Sequence, residues 1–208
     1  MTQLDAHSLF GTLQVAASDA FFKANNNRTM IISRSSYAGM GKFGSTWLGD
    51  NSATMTDLEE SVIAIMNMNM FGIPLTGADI CGFGGAANRN NTLCTRWHAV
   101  GTFYPFSRNH KICYGEPQEP WRFTDIYQGN TTYKDLMKVF IQRKYHMMRY
   151  IYTQMMMVSM NIDSTFYKPL FFEFPEDDNA TMDIANNVMF GPAIKTSVNV
   201  KDLNAPTT

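Results

Sequence analysis

The sequence lacks the features of a membrane protein and of a nucleic-acid-binding protein. No run of residues approaches the roughly 20 uninterrupted apolar residues that a membrane-spanning helix needs, although 45% of the 208 residues are hydrophobic. Only 17% are charged and the formal net charge is −1, so there is no basic surface for nucleic acid. Membrane spans and nucleic-acid partners are therefore not expected, and neutral ligands fit the charge balance better than polyanions do.

Cysteine is scarce, with three residues in the whole chain. Their spacing contains no C-x-x-C pair, which argues against a zinc site. Cys81 and Cys94 are close enough to close a short loop, and this pairing would leave Cys113 free. The 16 methionines are better explained as flexible core filler than as metal ligands. No metal and no cofactor is expected.

The N-terminus lacks a basic region followed by an apolar region, so it does not form a signal peptide. The chain nevertheless contains four tripeptides that match the glycosylation pattern of secreted proteins. These are Asn27-Arg28-Thr29, Asn90-Asn91-Thr92, Asn130-Thr131-Thr132 and Asn179-Ala180-Thr181. A fragment of a longer secreted glycoprotein would resolve the conflict between these two observations.

Helical periodicity alternates with short apolar runs along most of the chain. Helices are predicted over residues 7–23, 56–70, 93–103 and 133–160, and strands over 29–33, 45–49, 73–80, 106–110 and 169–174. In the second helix, Thr56 is the expected N-cap and Glu59 completes a capping box. The alternation predicts parallel βα units, and four such units are half of a (β/α)8 barrel.

Polar side chains stand at the C-terminal ends of the predicted strands, where barrel enzymes keep their chemistry. Two carboxylates, an arginine and a histidine occupy these positions, with two aromatic residues close by: Asp50, Asp79, Arg34, His110, Trp47 and Phe83. Aromatic faces stack on sugar rings, and charged groups hydrogen bond their hydroxyls. A protonated carboxyl group can also protonate a glycosidic oxygen. The pattern therefore predicts a sugar site.

Each of these residues also has a purely structural alternative. An Asp that follows a strand, such as Asp50, is usually a helix N-cap. His110 could be a structural hydrogen-bonding residue, and Trp47 could belong to the core. Arg34 could pair with Asp79 as part of the scaffold.

Six segments, taken in order, resemble glycoside hydrolase family 31, in particular its lysosomal and intestinal α-glucosidase branch. The similarity extends from about His7 to about Gly191. The six segments are Ile32-Ser33-Arg34-Ser35, Trp47-Leu48-Gly49-Asp50-Asn51, Gly77-Ala78-Asp79-Ile80-Cys81-Gly82-Phe83, Phe103-Tyr104-Pro105-Phe106, Arg108-Asn109-His110 and Pro117-Gln118-Glu119-Pro120.

The resemblance implies a role for each candidate residue. Asp50 corresponds to the general acid/base, and Cys81 and Cys94 correspond to a disulfide pair beside the site. The residues that line the site for the terminal glucose unit are Arg34, Trp47, Asp79, Phe83 and His110. The resemblance also implies two domains: residues 1–165 as the C-terminal half of the (β/α)8 barrel, and residues 166–208 as the beginning of a β-sandwich domain.

The family's nucleophile is an Asp in a Trp-x-Asp-Met-Asn-Glu segment, and no such segment occurs in this sequence. A retaining glycosidase needs two carboxyl groups about 5 Å apart. The expected function is therefore a fragment of a lysosomal or secreted α-glucosidase that acts on terminal α-linked glucose of oligosaccharides. On its own the fragment would be inactive. Two alternatives are a non-catalytic carbohydrate-binding relic and a subunit that complements a separate N-terminal half.

Overall fold

The computed structural model describes residues 2–85, 90–163 and 165–200. The end of the predicted second domain, residues 201–208, therefore lies outside the described residues. Within the described ranges the α-helices are α1 (Gln3–Ala6), α2 (Phe10–Ala24), α3 (Met55–Met70), α4 (Asn91–Gly101), α5 (Tyr133–His146) and α6 (Met148–Ser159). The strands are β1 (Ile32–Ser33), β2 (Ser45–Thr46), β3 (Asp79–Ile80), β4 (Arg108–Asn109), β5 (Ile126–Gln128), β6 (Thr131–Thr132), β7 (Tyr167–Pro169), β8 (Asn187–Phe190) and β9 (Ile194–Ser197).

The first four strands are short and lie side by side in chain order. β1 pairs with β2, and β3 pairs with β4, in both cases in parallel. The two pairs are joined because the Leu48 amide donates a hydrogen bond to the Gly77 carbonyl at 3.0 Å. Helix α3 connects the first pair to the second and α4 connects β3 to β4, which confirms the predicted α/β class, whereas a loop with a 3-10 turn joins β1 to β2. The carboxyl ends of these strands face the same edge of the sheet.

The main hydrophobic core lies between the helices and the C-terminal antiparallel sheet β7–β8–β9. Helix α3 contributes Leu58, Val62 and Ile65, which recur at helical spacing on one buried face. They pack in the same cluster as Trp97 of α4 and Phe190 of β8, both fully buried. The core thus extends across the predicted domain boundary at residue 165, and that boundary stays a prediction.

Several details of the predicted elements are wrong. The N-cap of α3 is Thr54, whose side chain accepts a hydrogen bond from the Asp57 amide, so Thr56 and Glu59 do not form the capping box. The single long helix predicted over 133–160 is two helices that meet at Met147. The strand predicted over 169–174 is β7, which ends at Pro169 and is followed by a 3-10 turn.

None of the helices that the structure describes is both long enough and apolar enough to cross a membrane. A second, smaller core of Val15, Met40 and Ile73 holds α2 against the loop that follows β1. This packing keeps the first strand pair in place beside the rest of the sheet.

Candidate active site

Asp50 follows β2 and lies next to Arg34, which follows β1. The Arg34 Nη1 and the Asp50 Oδ2 are 3.5 Å apart, and both side chains are about half exposed to solvent. Gly49 makes this approach feasible. Its φ is +86°, and a Cβ atom at this position would lie 2.6 Å from Arg34 Nε. The backbone before Asp50 therefore leaves the space that the guanidinium group occupies.

Asp79 in β3 is the most buried member of the candidate set, with 1% of its surface exposed. Its Oδ1 accepts a hydrogen bond from Arg108 Nη2 at 2.8 Å. Burial raises the pKa of the Asp79 carboxyl group, while Arg108 and, more weakly, His110 act to lower the pKa. Among the described residues, nothing donates a hydrogen bond to the other carboxylate oxygen, Oδ2. Asp79 therefore presents one unsatisfied acceptor in a buried place.

Trp47 joins the group through Arg108. The Arg108 guanidinium carbon lies 5.2 Å from the centre of the Trp47 ring, within the range of a cation–π contact. The structural alternative in which Arg34 pairs with Asp79 is wrong, because Arg108 is the partner of Asp79 and Arg34 lies against Asp50. The sequence prediction missed Arg108, although the residue stands two positions before His110 in one of the recognised segments.

Phe83 and His110 form the other side of the group. Their ring centres are 5.0 Å apart, and the rings are tilted by 40°. The loop that carries Phe83 is fixed because its amide donates to the Asn51 carbonyl at 2.8 Å. The Asn51 side chain in turn donates to the Asp79 carbonyl at 3.1 Å. Asn51 thus connects the segment that follows Asp50 with both of the next two site residues.

Gln118 is a second residue that the sequence prediction missed, although it too lies in a recognised segment. The side chain is buried, and its Nε2 donates to the carbonyl oxygens of Ile80 and His110 at 3.3 and 2.9 Å. Gln118 therefore ties the loop after β4 to the end of β3. This bond holds His110 on the side of Asp79.

The structure brings all six candidate residues into one connected group at the carboxyl edge of the sheet. Two open cavities flank the group. One has a volume of about 250 Å³ and is lined by Asp50 and residues of α3. The other has a volume of about 350 Å³ and is lined by His110, Glu119 and the exposed Trp121. Of the six candidate residues, Asp50 lines the first cavity and His110 lines the second, and the other four line neither.

A disulfide bond joins Cys81 to Cys94, with Cα atoms 4.4 Å apart, and Cys113 is free and exposed. The predicted pairing is confirmed. Cys81 follows β3 directly and has a φ of +76°, so the bond attaches the loop after Asp79 to α4.

Comparison with known proteins identifies the family. The family model described as the glycosyl hydrolases family 31 TIM-barrel domain matches residues 1–154. The chain is 40% identical over 194 residues to the lysosomal alpha-glucosidase of Rattus norvegicus, which covers 93% of this chain and 19% of that protein. It is 38% identical over 190 residues to the intestinal sucrase-isomaltase of Homo sapiens, which covers 91% of this chain and 10% of that protein. The chain thus spans about a tenth to a fifth of the length of these curated relatives.

Solved structures show the same fold. A Tris-bound glucosidase II alpha subunit superposes with a TM-score of 0.77 at 28% identity, covering 91% of this chain and 20% of that chain. The family 31 dextranase of Flavobacterium johnsoniae, complexed with glucose, superposes with a TM-score of 0.83 at 22% identity and covers 98% of this chain and 25% of that chain. At 22% identity, the similarity to the dextranase shows a shared fold alone.

Proposed function

Because the chain belongs to glycoside hydrolase family 31, we propose that it forms the C-terminal half of the (β/α)8 barrel of a retaining α-glucosidase. The full-length parent would hydrolyse terminal α-linked glucose from oligosaccharides. Two observations support the proposal. The curated relatives include α-glucosidases at about 40% identity, and two parallel strand pairs succeed one another in chain order, with α3 between the pairs and α4 between β3 and β4.

The proposed general acid/base is Asp50. Its carboxyl group lies at the end of β2, half exposed to solvent, beside a cavity of about 250 Å³. In this role the protonated carboxyl group gives its proton to the leaving glycosidic oxygen, and the carboxylate later takes a proton from the attacking water. The neighbouring Arg34 guanidinium, 3.5 Å away, donates a hydrogen bond to this carboxyl group.

The proposed glucose pocket centres on Asp79, and the unsatisfied Oδ2 of this residue is the observation that best supports the function. A buried carboxylate oxygen without a donor costs free energy unless a ligand supplies one, and a sugar hydroxyl group is a suitable donor. His110 and Arg34 supply further hydrogen bonds. Trp47 and Phe83 provide the aromatic faces on which a pyranose ring packs.

The nucleophile is proposed to come from chain outside these 208 residues, since the Trp-x-Asp-Met-Asn-Glu segment does not occur in them. Without a carboxylate about 5 Å from Asp50, no covalent glycosyl intermediate forms. The chain on its own is therefore expected to bind glucose and not to hydrolyse glucosides.

A second candidate function is sugar binding without turnover, either as a relic or as a subunit that complements a separate N-terminal half. The observation that favours it is the conjunction of an assembled candidate pocket with the missing nucleophile segment. Binding and hydrolysis can be measured separately, so the two functions can be told apart.

The test uses the full 208-residue chain and three variants. Saturation-transfer NMR with glucose should give a signal for the wild type and for Asp178→Asn, an exposed control, but not for Asp79→Asn. Turnover of 4-nitrophenyl α-glucoside should be absent in these proteins and in Asp50→Asn. A glucose signal that survives in Asp79→Asn would contradict the proposed pocket. Turnover that disappears in Asp50→Asn would contradict the missing nucleophile.

We also propose that the full-length parent is lysosomal or secreted. Two relatives are named lysosomal alpha-glucosidase and intestinal sucrase-isomaltase. The Cys81–Cys94 disulfide supports the proposal, since such bonds persist in oxidising compartments.

A further inference from the structure

Three buried side chains that can bind a metal ion meet directly behind the loop that follows Asp79. They are Cys81, Cys94 and His98, whose ligand atoms all lie within 4.8 Å of one another. No other group of three such residues is found in the part of the chain that the structure describes. Each of the three is at most 5% exposed. In the present state the two sulfur atoms are joined to each other, so they are not available to a metal.

We propose that, once the Cys81–Cys94 bond is reduced, these three residues form a zinc-binding site. The proposal does not depend on the sugar-binding function. The cysteine spacing alone predicts no zinc site, but the fold brings a histidine, His98, to the two sulfur atoms.

The distances between the ligand atoms are close to those of a zinc site. His98 Nδ1 lies 3.6 Å from Cys81 Sγ and 3.7 Å from Cys94 Sγ. In a tetrahedral zinc site, with Zn–S near 2.3 Å and Zn–N near 2.0–2.1 Å, the nitrogen and each sulfur are about 3.6 Å apart. Two of the three distances between ligand atoms therefore already match a tetrahedral zinc site. For the third, the sulfur atoms must move from bonding distance to about 3.8 Å apart once their bond is broken, by rotation of the two cysteine side chains.

The backbone also holds these residues together. Cys94 and His98 both lie on α4, four positions apart, so they share one face of the helix. Cys81 approaches that face from the end of β3. A small cavity of about 20 Å³ adjoins both cysteines, and Glu116 is among its lining residues. This volume is enough for one water molecule, which we assign as the fourth ligand of the zinc ion.

The charge balance of the reduced site also favours Zn²⁺. A thiol or phosphine reductant delivers two electrons to the disulfide and is itself oxidised to a disulfide or a phosphine oxide. The two sulfurs take up two protons and become thiols, and Zn²⁺ then displaces both protons. His98 binds through Nδ1 as a neutral ring, in exchange for its present hydrogen bond to the Cys94 carbonyl. Two thiolates balance the charge of the ion, so the buried site is neutral.

The consequence for the molecule is a second way of connecting the end of β3 to α4. In an oxidising compartment the disulfide makes this connection. Under reducing conditions the zinc ion would make it through the same two sulfur atoms and would hold the loop after Asp79 close to its present position.

The test uses the full chain in a Cys113→Ser background, so that the exposed third thiol cannot contribute. The chain is reduced with a phosphine, freed of reductant under nitrogen and titrated with Co²⁺. We expect one Co²⁺ per chain, with a thiolate-to-cobalt charge-transfer band and intense tetrahedral d–d bands that Zn²⁺ abolishes. His98→Ala should weaken Co²⁺ binding at least about tenfold, since even outer-shell partners are worth 10–100-fold.

His146→Ala, which removes an exposed histidine at the end of α5, should bind Co²⁺ as the parent does. The oxidised parent should show no cobalt bands. The fold of His98→Ala can be checked by circular dichroism while its disulfide is still intact, so a folding defect is separable from a lost ligand. Absence of cobalt bands in the reduced chain would overturn the proposal, as would bands of equal affinity in His98→Ala or in the oxidised chain.

Discussion

At the scale of single residues, Gly49 shapes the candidate site because it has no side chain. Its φ of +86° is in the left-handed region, and a Cβ atom at this position would lie 2.6 Å from Arg34 Nε. Gly49→Ala should therefore lower the free energy of unfolding by at least the roughly 1–2 kcal/mol that a left-handed conformation costs other residues. It should also displace Arg34 from Asp50. Urea unfolding followed by circular dichroism measures the first effect.

Gly84→Ala is the matched control for this prediction. Gly84 lies in the neighbouring loop, has no positive φ, and a Cβ atom there would meet nothing within 4 Å. Its unfolding free energy should stay within about 0.5 kcal/mol of the wild type. Equal losses in the two variants would show that the geometry around Gly49 is not special.

Asp79 gives a pH-dependent prediction. Burial raises the pKa of Asp79 in the folded state above its ordinary value of 3.8. Between that value and the raised pKa, the native state holds a proton that the unfolded state has released, so the Asp79 contribution to stability falls as pH rises. Arg108 limits this loss through the 2.8 Å hydrogen bond.

Arg108→Met removes that compensation while keeping an unbranched side chain against Trp47. The pKa of Asp79 should then rise further, because burial still raises it and only the weaker effect of His110 opposes that rise. We expect the free energy of unfolding to fall by about 2 kcal/mol at neutral pH, less than the roughly 3–5 kcal/mol of a fully buried pair, because the Arg108 side chain is 35% exposed and solvent screens its charge. The deficit should shrink as pH is lowered towards 3.8. A series of urea titrations at different pH values measures it.

Arg122→Met provides the control for loss of one positive charge, since Arg122 is exposed in a 3-10 turn. Its stability should follow the wild type across the pH series. A deficit in Arg108→Met that does not change with pH would mean that the arginine stabilises through packing alone.

The residues of the candidate site were largely accessible from the sequence, but their partners were not. A residue at the end of a predicted strand can be placed on the carboxyl edge of a sheet by topology alone, which is how Asp50 and His110 were singled out. Which arginine reaches Asp79 depends on side-chain direction across neighbouring strands. Local sequence does not encode that direction, so the alternative pairing of Arg34 with Asp79 was wrong.

At the scale of elements, the structure distinguishes between two threonines that could each cap the N-terminus of α3, Thr54 and Thr56. The Thr54 side chain accepts from the Asp57 amide at 3.1 Å, whereas Thr56 lies within the first turn and is exposed. Thr54→Ala should lower the free energy of unfolding by about 1 kcal/mol, the usual value for an N-cap. Thr56→Ala should have an effect below about 0.5 kcal/mol. Thermal unfolding of the two variants in parallel decides between them, and a larger loss in Thr56→Ala would contradict the structure.

Element bounds differ from the predicted ones where tertiary contacts decide them. The segment around Met147 contains neither Pro nor Gly, so its periodicity predicts one continuous helix. In the structure Lys144, near the end of α5, donates to the Tyr104 carbonyl at 2.6 Å and to the Thr102 carbonyl at 3.3 Å. Both acceptors lie just beyond the end of α4. These long-range hydrogen bonds hold the end of α5 against α4, next to the junction at Met147. The local sequence pattern does not predict them.

At the scale of the whole molecule, the alternation of helices and parallel strands was predictable because each unit has its own hydrophobic period. The core that the helices share with the C-terminal sheet was less predictable. Tyr167 and Phe190 belong to the C-terminal sheet and Phe166 directly precedes it, yet all three are buried in the same cluster as Leu58 of α3. The boundary at residue 165 was implied by the family resemblance, and such a resemblance does not reveal this packing. Sequence patterns indicate which faces are apolar and not what covers them.

Within the described residues, the parallel sheet also has edges at which no further strand is paired. β1 pairs only with β2, and β4 pairs only with β3. Large apolar side chains lie exposed near both ends: Phe10 and Met30 near β1, at 67% and 70% exposure, and Trp121 and Tyr145 beside a cavity of about 400 Å³ near β4. Unpaired strands with apolar neighbours associate readily. We therefore expect the chain, studied alone, to form oligomers whose size rises with concentration in sedimentation velocity experiments.

Met30→Lys is the variant that tests whether the β1 edge causes this association. Met30 is two positions before β1, and natural proteins protect open edges with lysine because an added strand would bury its charge. The variant should therefore sediment at a smaller mean mass than the wild type at equal concentration. Met182→Lys, which places the same charge at a residue 67% exposed and away from the parallel strands, should leave the distribution unchanged. If the wild type sediments as a single monomer at every concentration, the open edges do not drive association and the sheet is protected in a way that its strand pairing does not reveal.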